Sequence, residues 1–278
     1  MKSFRYVVAD VFTDTPLAGN QLAVFTDARG LDEEAMQALA LEIGFSETVF
    51  VLRPESGGNV RIRIFTPSFE LPFAGHPTLG TAFVLGAPLQ LDVITLETGR
   101  GHVPVRLERD ESGRIVFGRM EQPVPAIEPH PDPQAVLDAL GVAGSELPVE
   151  LYDNGATHLF VAVGSEAEVA ALKPNGEAIR ALGVTGVSCF AGAGDRWTLR
   201  MFWERGEDAA TGSAAGPLAC HLARHGRIAW GDEITISQGA AIGRPSTLYA
   251  SAEGGAGLID RVEVGGQAVT VARGEFRL

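Results

Sequence analysis

The sequence predicts an α+β protein of two similar domains, each a β-sheet wrapped round one central apolar helix, with an active site in the cleft between them. Three observations lead there. At 278 residues the chain is long for one hydrophobic core, so two domains are the default expectation. One pattern is then written twice: Arg63-Ile64-Phe65, Glu70 and Ala74-Gly75-His76 in the first half, and Arg200-Met201-Phe202, Glu207 and Thr211-Gly212-Ser213 in the second. Its Arg, Phe, Glu and Gly each stand 137 residues from their counterparts, close to half the chain. Each copy also runs from an apolar strand, through a loop, to a glycine and into a helix that is apolar on every side, which marks a buried central helix.

Taken in order, residues 4–12 alternate and are β-branched, a strand. Pro16 and Gly19 mark a turn, and 21–26 is a second strand. Asp32 is placed to cap a helix over 33–43 that Gly44 closes, with Ala35, Met36, Leu39 and Ile43 on one face. Strands follow at 48–52 and 60–65. A loop with two prolines leads to a helix from Pro77 to about Leu85, where proline suits the first helical position. Strands at 93–97, 102–108 and 114–120 complete the half. Residues 122–133 carry prolines at 123, 125, 129, 131 and 133 and read as the linker. The domains are therefore 1–122 and 123–278, with the last strand free to return to the first domain. The second half reads as a helix at 134–140, strands at 150–152 and 158–163, helices at 166–172 and 176–182, strands at 187–191 and 198–202, and the second central helix at 214–224. A hairpin over 261–278, turned at Gly265-Gly266, closes the chain.

Composition narrows the class. The net charge of −13 argues against nucleic acid or an anionic membrane as a non-specific partner, and leaves room for an anionic small molecule held by a local site. No apolar stretch approaches the roughly 18 residues of a membrane span. The N-terminus reads as a strand rather than a signal peptide. Two cysteines, Cys189 and Cys220, suit a reducing, cytoplasmic compartment.

The chemistry concentrates in three places. Around the first glycine, Gly75 lets an anion approach the backbone and His76 stands where it can donate or shuttle a proton; alternatively Gly75 is a turn residue and His76 a helix cap. Around the second, Asp208 is a carboxylate near the site, the amides at Gly212 and Ser213 can bind an anion, and the Ser213 hydroxyl can donate; alternatively Asp208 is solvated and Ser213 caps its helix. Third, Ser46-Glu47-Thr48 lies where a helix has ended and a strand begins. Phe45, Val49 and Phe50 would desolvate a carboxylate there and raise its pKa, unless Glu47 is an exposed strand end. Gly-Ser-Ala-Ala-Gly at 212–216 lacks the Gly-x-Ser-x-Gly spacing of a nucleophile elbow. His221 and His225 have metal-ligand spacing but no evident third ligand, so no metal is expected. Phe190 to Gly194 holds a lone Gly-x-Gly, better read as a turn than as a cofactor loop. No cofactor is expected.

The duplicated strand-loop-glycine-helix resembles the diaminopimelate epimerase fold of cofactor-independent racemases. Those use a cysteine beside each glycine; here the matching positions are Ala74 and Thr211, so two-thiol racemisation is not expected. The specific motifs resemble the PhzF family. They are Pro16-Leu17-Ala18-Gly19-Asn20, Phe45-Ser46-Glu47-Thr48, Ile64-Phe65-Thr66-Pro67, the run from Glu70 to Pro77, the run from Cys189 to Gly194, the run from Asp208 to Ala214, and Ile242-Gly243-Arg244-Pro245-Ser246. The resemblance covers essentially the whole chain, and the runs Glu207 to Leu218 and His221 to Gly226 are most similar to the family's phenazine-forming isomerases. One departure is a shorter connection at Trp203-Glu204-Arg205-Gly206.

The resemblance implies conversion of trans-2,3-dihydro-3-hydroxyanthranilate to an amino-ketone by a homodimer without cofactor. Glu47 would move a proton from C3 to C1. His76, Asp208 and Ser213 would hold the ring substituents and aid the shift, while Ser46, Gly75 and Gly212 would bind substrate. Two other readings stand beside it: an isomerase or epimerase of another small amino or hydroxy acid, and a non-catalytic binding member of the fold.

Overall fold

The first strand, β1 (Ser3–Val11), runs antiparallel to β2 (Asn20–Phe25), with Val11 opposite Asn20. The structure, a computed structural model, describes residues 2–255 and 257–278. Between β1 and β2 the chain takes left-handed backbone at Phe12 (φ 63°), Leu17 (φ 67°) and Gly19 (φ 68°). Such angles are uncommon for residues with a side chain. At Gly19 a Cβ would stand 2.4 Å from the Val11 carbonyl oxygen, so only glycine delivers the chain into β2 there.

The structure divides into two compact units, Met1–Glu121 with Gly265–Leu278, and Gln122–Val264. In the first, α1 (Glu33–Ile43) forms as the sequence predicts. The Asp32 carboxylate accepts from the Ala35 amide at 2.9 Å, and Gly44 closes the helix with φ 72°. This helix is the crossover that lets β3 (Glu47–Leu52) lie parallel to β2, with Leu22 opposite Glu47. β4 (Val60–Phe65) is antiparallel to β3. The two-residue strand β5 (Glu70–Leu71) folds back on its end. Then come α2 (Gly75–Leu89), β6 (Val93–Thr98) parallel to the start of β4, and β7 (Gly101–Arg109) and β8 (Ile115–Gln122), each antiparallel to its predecessor.

Helix α2 begins two residues before Pro77 and continues past the expected end at Leu85. Gly86 and Pro88 look like breakers in sequence. Gly86 is small for packing, because a Cβ there would meet Leu107 Cδ1 at 2.3 Å, and the helix stops only at left-handed Gln90.

The second unit repeats the series. Its elements are β9 (Ala126–Pro129), α3 (Pro133–Leu140), β10 (Glu150–Asp153), β11 (Thr157–Ala162), α4 (Glu166–Ala171), α5 (Gly176–Ala181), β12 (Gly186–Ala193), β13 (Arg196–Trp203), β14 (Gly206–Asp208), α6 (Gly212–Arg224), β15 (Glu233–Gln238), β16 (Ser246–Gly255) and β17 (Leu258–Gly266). β10 and β11 are antiparallel, and β11 and β12 are parallel across a helical crossover. β12 and β13 are antiparallel, β14 folds back on the end of β13, and β15 runs parallel to its start. β16 then lies antiparallel to β15. That is the sequence of pairings from β1 to β7, so the repeat in the sequence is a repeat of topology. Every residue of α6 except Arg224 is buried, as expected of a central helix.

Two expectations need correcting. Residues 122–133 are not simply a linker: β9 pairs with β10, Pro129 opposite Glu150, and Pro133 opens α3. Proline is tolerated where a strand does not need every donor. The closing hairpin does not form either. Only Gln267 separates β17 from the last strand, β18 (Ala268–Arg277), too little for a two-residue hairpin turn. β18 instead runs antiparallel to β1, from Ser3 opposite Arg277 to Val11 opposite Ala268.

Candidate active site

The repeated Arg, Phe and Glu do scaffold work. Arg63 lies over the Phe65 ring, 5.0 Å from its centre, and donates to both oxygens of Glu70 at 2.7 and 2.5 Å. Arg200 lies over Phe202 at 4.8 Å and grips Glu207 through three bonds of 2.6 to 3.1 Å. Planar stacking plus a bidentate carboxylate bond is geometry that only arginine offers. Each pair ties β5 or β14 to the strand before it, and so fixes where the chain departs for α2 or α6.

Those two helices share a further property. Asp32, Asp132, Ser165 and Asn175 cap α1, α3, α4 and α5 with their side chains. α2 begins behind Ala74 and α6 behind Thr211, and neither receives a side-chain cap. First-turn amides have no partner within a helix, so both ends keep donors that suit a carboxylate. Gly75 and Gly212 are the first residues of these helices. His76 and Ser213 are the second, and neither is a cap.

In the first unit Glu47 is the first residue of β3. Its carboxylate lies 3.5 Å from His76 Nε2, with side-chain exposures of 17% and 4%. Glu47 is therefore not an exposed strand end. The Asn20 side-chain amide donates to His76 Nδ1 at 3.2 Å, and Ser46 Oγ donates to Asn20 Oδ1 at 3.4 Å. An imidazole whose Nδ1 accepts carries its proton on Nε2, so His76 presents an N–H to Glu47. Ser46, Glu47, Gly75 and His76 thus belong to one corner of this unit, joined by Asn20, a residue to which the sequence alone assigns no role.

In the second unit Asp208 ends β14. Its Oδ2 accepts from the Thr211 hydroxyl at 2.6 Å. Gln238, at the end of β15, clamps this turn: its Nε2 donates to the Asp208 carbonyl at 3.0 Å and to Thr211 Oγ1 at 2.9 Å, and its Oε1 accepts from the Thr211 amide at 2.9 Å. Gly239 follows with φ 78°, and a Cβ there would stand 2.4 Å from the Ala209 carbonyl. The Ser213 hydroxyl does not cap α6. It lies 2.9 Å from Nε2 of His158, which is wholly buried on β11 and is pushed down to about 4 by burial, against the pull of the Asp153 carboxylate. Asp208, Gly212 and Ser213 are therefore presented by one turn and the start of one helix. His158, Thr211 and Gln238 were missed in sequence. Thr211 alone had left a signal, standing where the resemblance put a cysteine.

Folding also supplies what His221 and His225 lacked. Glu150 Oε2 lies 3.2 Å from His221 Nδ1 and 3.0 Å from His225 Nε2, a grouping with metal-ligand spacing. The same oxygen receives Arg224 Nη1 at 2.7 Å and the Tyr152 hydroxyl at 3.1 Å. A guanidinium already supplies the counter-charge there, which sets the donor set against a second cation. Burial alone would raise the Glu150 carboxyl, but bonds from His221, His225 and Arg224 hold it well below the usual range. Phe190 to Gly194 is the end of β12 and its turn into β13. Cys189 and Cys220 are buried, and burial pushes each thiol up to about 12. Such thiols are poor acids and poor nucleophiles at neutral pH.

Comparison with known proteins decides the family. The family described as phenazine biosynthesis-like protein, PhzC-PhzF, matches residues 9–274. The chain belongs to the PhzC-PhzF family. It is 51% identical over 277 residues to the trans-2,3-dihydro-3-hydroxyanthranilate isomerase of Pseudomonas aeruginosa, covering 99% of each chain. The crystal structure of a PhzF-family phenazine biosynthesis protein from Bacillus anthracis superposes with a TM-score of 0.85 at 26% identity, covering 100% of both chains. A hydroxyproline epimerase from Agrobacterium vitis shares the fold alone, with a TM-score of 0.69 at 12% identity, covering 98% of this chain and 92% of that one. The expected α+β epimerase-like fold, the PhzF family and the isomerase class are all borne out. Among the described residues no helix is long and apolar enough to cross a membrane.

Proposed function

We propose that this PhzF-family chain isomerises trans-2,3-dihydro-3-hydroxyanthranilate, with Glu47 as the acid/base that carries a proton from C3 to C1. The observation that supports this most directly is the Glu47 carboxylate set 3.5 Å from His76 Nε2, beside the uncapped start of α2. Glu47 takes the C3 proton as the C3–H bond breaks. The electron pair moves through the ring π system, a proton is returned at C1, and the enol left at C3 becomes the ketone. Nothing is gained or lost, so no cofactor is required. One carboxylate suffices where both carbons lie on one face of the ring.

The other residues hold the substrate. Amides at Gly75 and Gly212 suit a carboxylate. The His76 N–H faces the Glu47 carboxylate and keeps it oriented. Asp208, fixed by Thr211, suits the amine, and Ser213 a ring oxygen or carboxylate. Ser46 acts through Asn20. Holding the ring substituents orients C1 and C3 against Glu47. The reading also has the protein working in the cytoplasm as a homodimer.

Feeding the dihydro-hydroxyanthranilate in D₂O and following C1 and C3 by NMR tests it. Deuterium should enter as substrate disappears, and Glu47→Gln should lower kcat by about 10²–10⁴-fold. Full turnover by Glu47→Gln would sink the mechanism. Neither label nor substrate loss with the unaltered protein would sink the substrate assignment.

A further inference from the structure

We propose that His158 is a positioning residue that makes the Ser213 hydroxyl a hydrogen-bond donor toward the substrate, and thereby prevents Ser213 from acting as a nucleophile. The inference rests on the placement of Ser213 in the proposed site. His158 stands on β11, opposite Tyr152 of β10 and Gly186 of β12. Its ring is fully buried, and Nε2 is 2.9 Å from Ser213 Oγ. Among the described residues Nδ1 has no hydrogen-bond partner.

Two neutral tautomers are open to such a ring, and they have opposite consequences. With the proton on Nδ1, a buried N–H is left with nothing to accept it, and Ser213 must turn its own proton inward to Nε2. That is the polarity that activates a serine nucleophile. With the proton on Nε2, the ring donates to Ser213 Oγ and only a lone pair at Nδ1 is left bare. A buried N–H without an acceptor is rarer in folded proteins than an acceptor without a donor, so the second tautomer holds. The Ser213 O–H then cannot point at His158 and faces away from it.

The other half of the molecule makes the same arrangement independently. There the strand entering the parallel crossover is β2, and its Asn20 amide donates to Nδ1 of His76, the second residue of α2. Here the corresponding strand is β11, and its His158 donates to Ser213, the second residue of α6. In each unit a polar side chain on that strand fixes the helix's second residue as an outward donor. The two halves use different residues for one purpose. His158 also stays neutral across the working range, because burial disfavours its charged form.

The tautomer can be read on the unaltered protein. In protein labelled with ¹⁵N at the imidazole rings, His158 should show a protonated Nε2 and a bare Nδ1; the Nδ1–H form would overturn the proposal. Kinetics give the second arm. His158→Leu should lower kcat by about 10²-fold with KM changed by less than about threefold, and His158→Gln, whose amide nitrogen can donate from near the place of Nε2, should recover most of the loss. A general loss of structure would not be rescued by Gln in kcat alone. If Ser213→Ala leaves kcat unchanged, the reading of the site fails. If Ser213→Ala lowers kcat and His158→Leu does not, only the role of His158 fails.

Discussion

Removing the glutamate from each copy of the repeat should show how differently one motif is used. Glu207→Gln leaves Arg200 with a side-chain exposure of 13% facing a neutral amide, where the native carboxylate is only 5% exposed. Arg200 cannot swing out to water without abandoning its other bonds, since Nη1 also donates to the carbonyls of Val169 and Ala170 at 3.1 Å and of Leu172 at 3.2 Å, at the C-terminal end of α4. Breaking one side of a buried pair of this kind costs about 3–5 kcal/mol. Glu70→Gln is milder. Glu70 is 36% exposed, and Arg63 keeps Glu33 at 2.8 Å, so the loss should stay within the range of surface pairs, about 1 kcal/mol at most. At about 2–4 °C per kcal/mol for a domain of this size, Glu207→Gln should lower Tm by roughly 6–20 °C and Glu70→Gln by less than about 4 °C. Calorimetry of the two variants at pH 7 measures both. Equal losses, or a larger loss from Glu70→Gln, would refute the claim that the second copy is the buried one in energetic terms as well as in geometry.

Three further outcomes are expected. His158 has its folded pKa lowered to about 4 from an ordinary value near 6.5, so its contribution is complete above pH 6.5 and is lost as pH falls toward 4, a span worth about 3 kcal/mol. Urea titrations between pH 7 and pH 4 should show that slope in the unaltered protein and a shallower one in His158→Gln; identical slopes would exclude the assignment. Gly19→Ala places a Cβ 2.4 Å from the Val11 carbonyl at φ 68° and should cost about 1–3 kcal/mol, with kcat falling as well because Gly19 leads directly into Asn20. Cys189 and Cys220, pushed up to about 12, should resist alkylation in the folded protein at pH 8, and the double alanine variant should keep its isomerase turnover; loss of turnover with the fold intact would reopen a thiol mechanism.

Much of the fold was legible because it is written in local signals. Asp32 and Gly44 bracket α1 to the residue, and the glycine-led central helices announce themselves by apolar residues on every face. What could not be read was non-local. Gly265-Gly266 imitates a hairpin turn, and the expectation that the last strand is free to return to the first domain names no partner strand; that partner is β1, at the far end of the chain. Gly86 and Pro88 imitate a helix end, yet packing against Leu107 explains the glycine.

The same division runs through the site. Residues on the flanks of the two glycines were found because a helix start after a loop is a local pattern. The groups that orient them come from elsewhere: Asn20 is 56 residues from His76, His158 is 55 from Ser213, and Gln238 is 27 from Thr211. None stands in a spacing that a helix or strand period would expose. Nor does it follow that the repeat marks catalysis. Its matched residues, Arg63 with Glu70 and Arg200 with Glu207, bond to each other, whereas His76 and Ser213 occupy matched positions with unlike side chains. In a duplicated fold the positions that stay alike hold each helix in place within its own unit, and the positions that diverge are free to take different chemical roles. A ring whose carboxylate, amine and reacting carbons all differ requires that asymmetry. Glu47, the acid/base of the proposed reaction, has its parallel-ladder counterpart in Gly186, a residue with no side chain, since Glu47 stands opposite Leu22 as Gly186 stands opposite His158. At that ladder position one half carries a carboxylate and the other no side chain, which fits the proposed shift of a proton between two carbons on one face better than a two-base inversion at a single carbon.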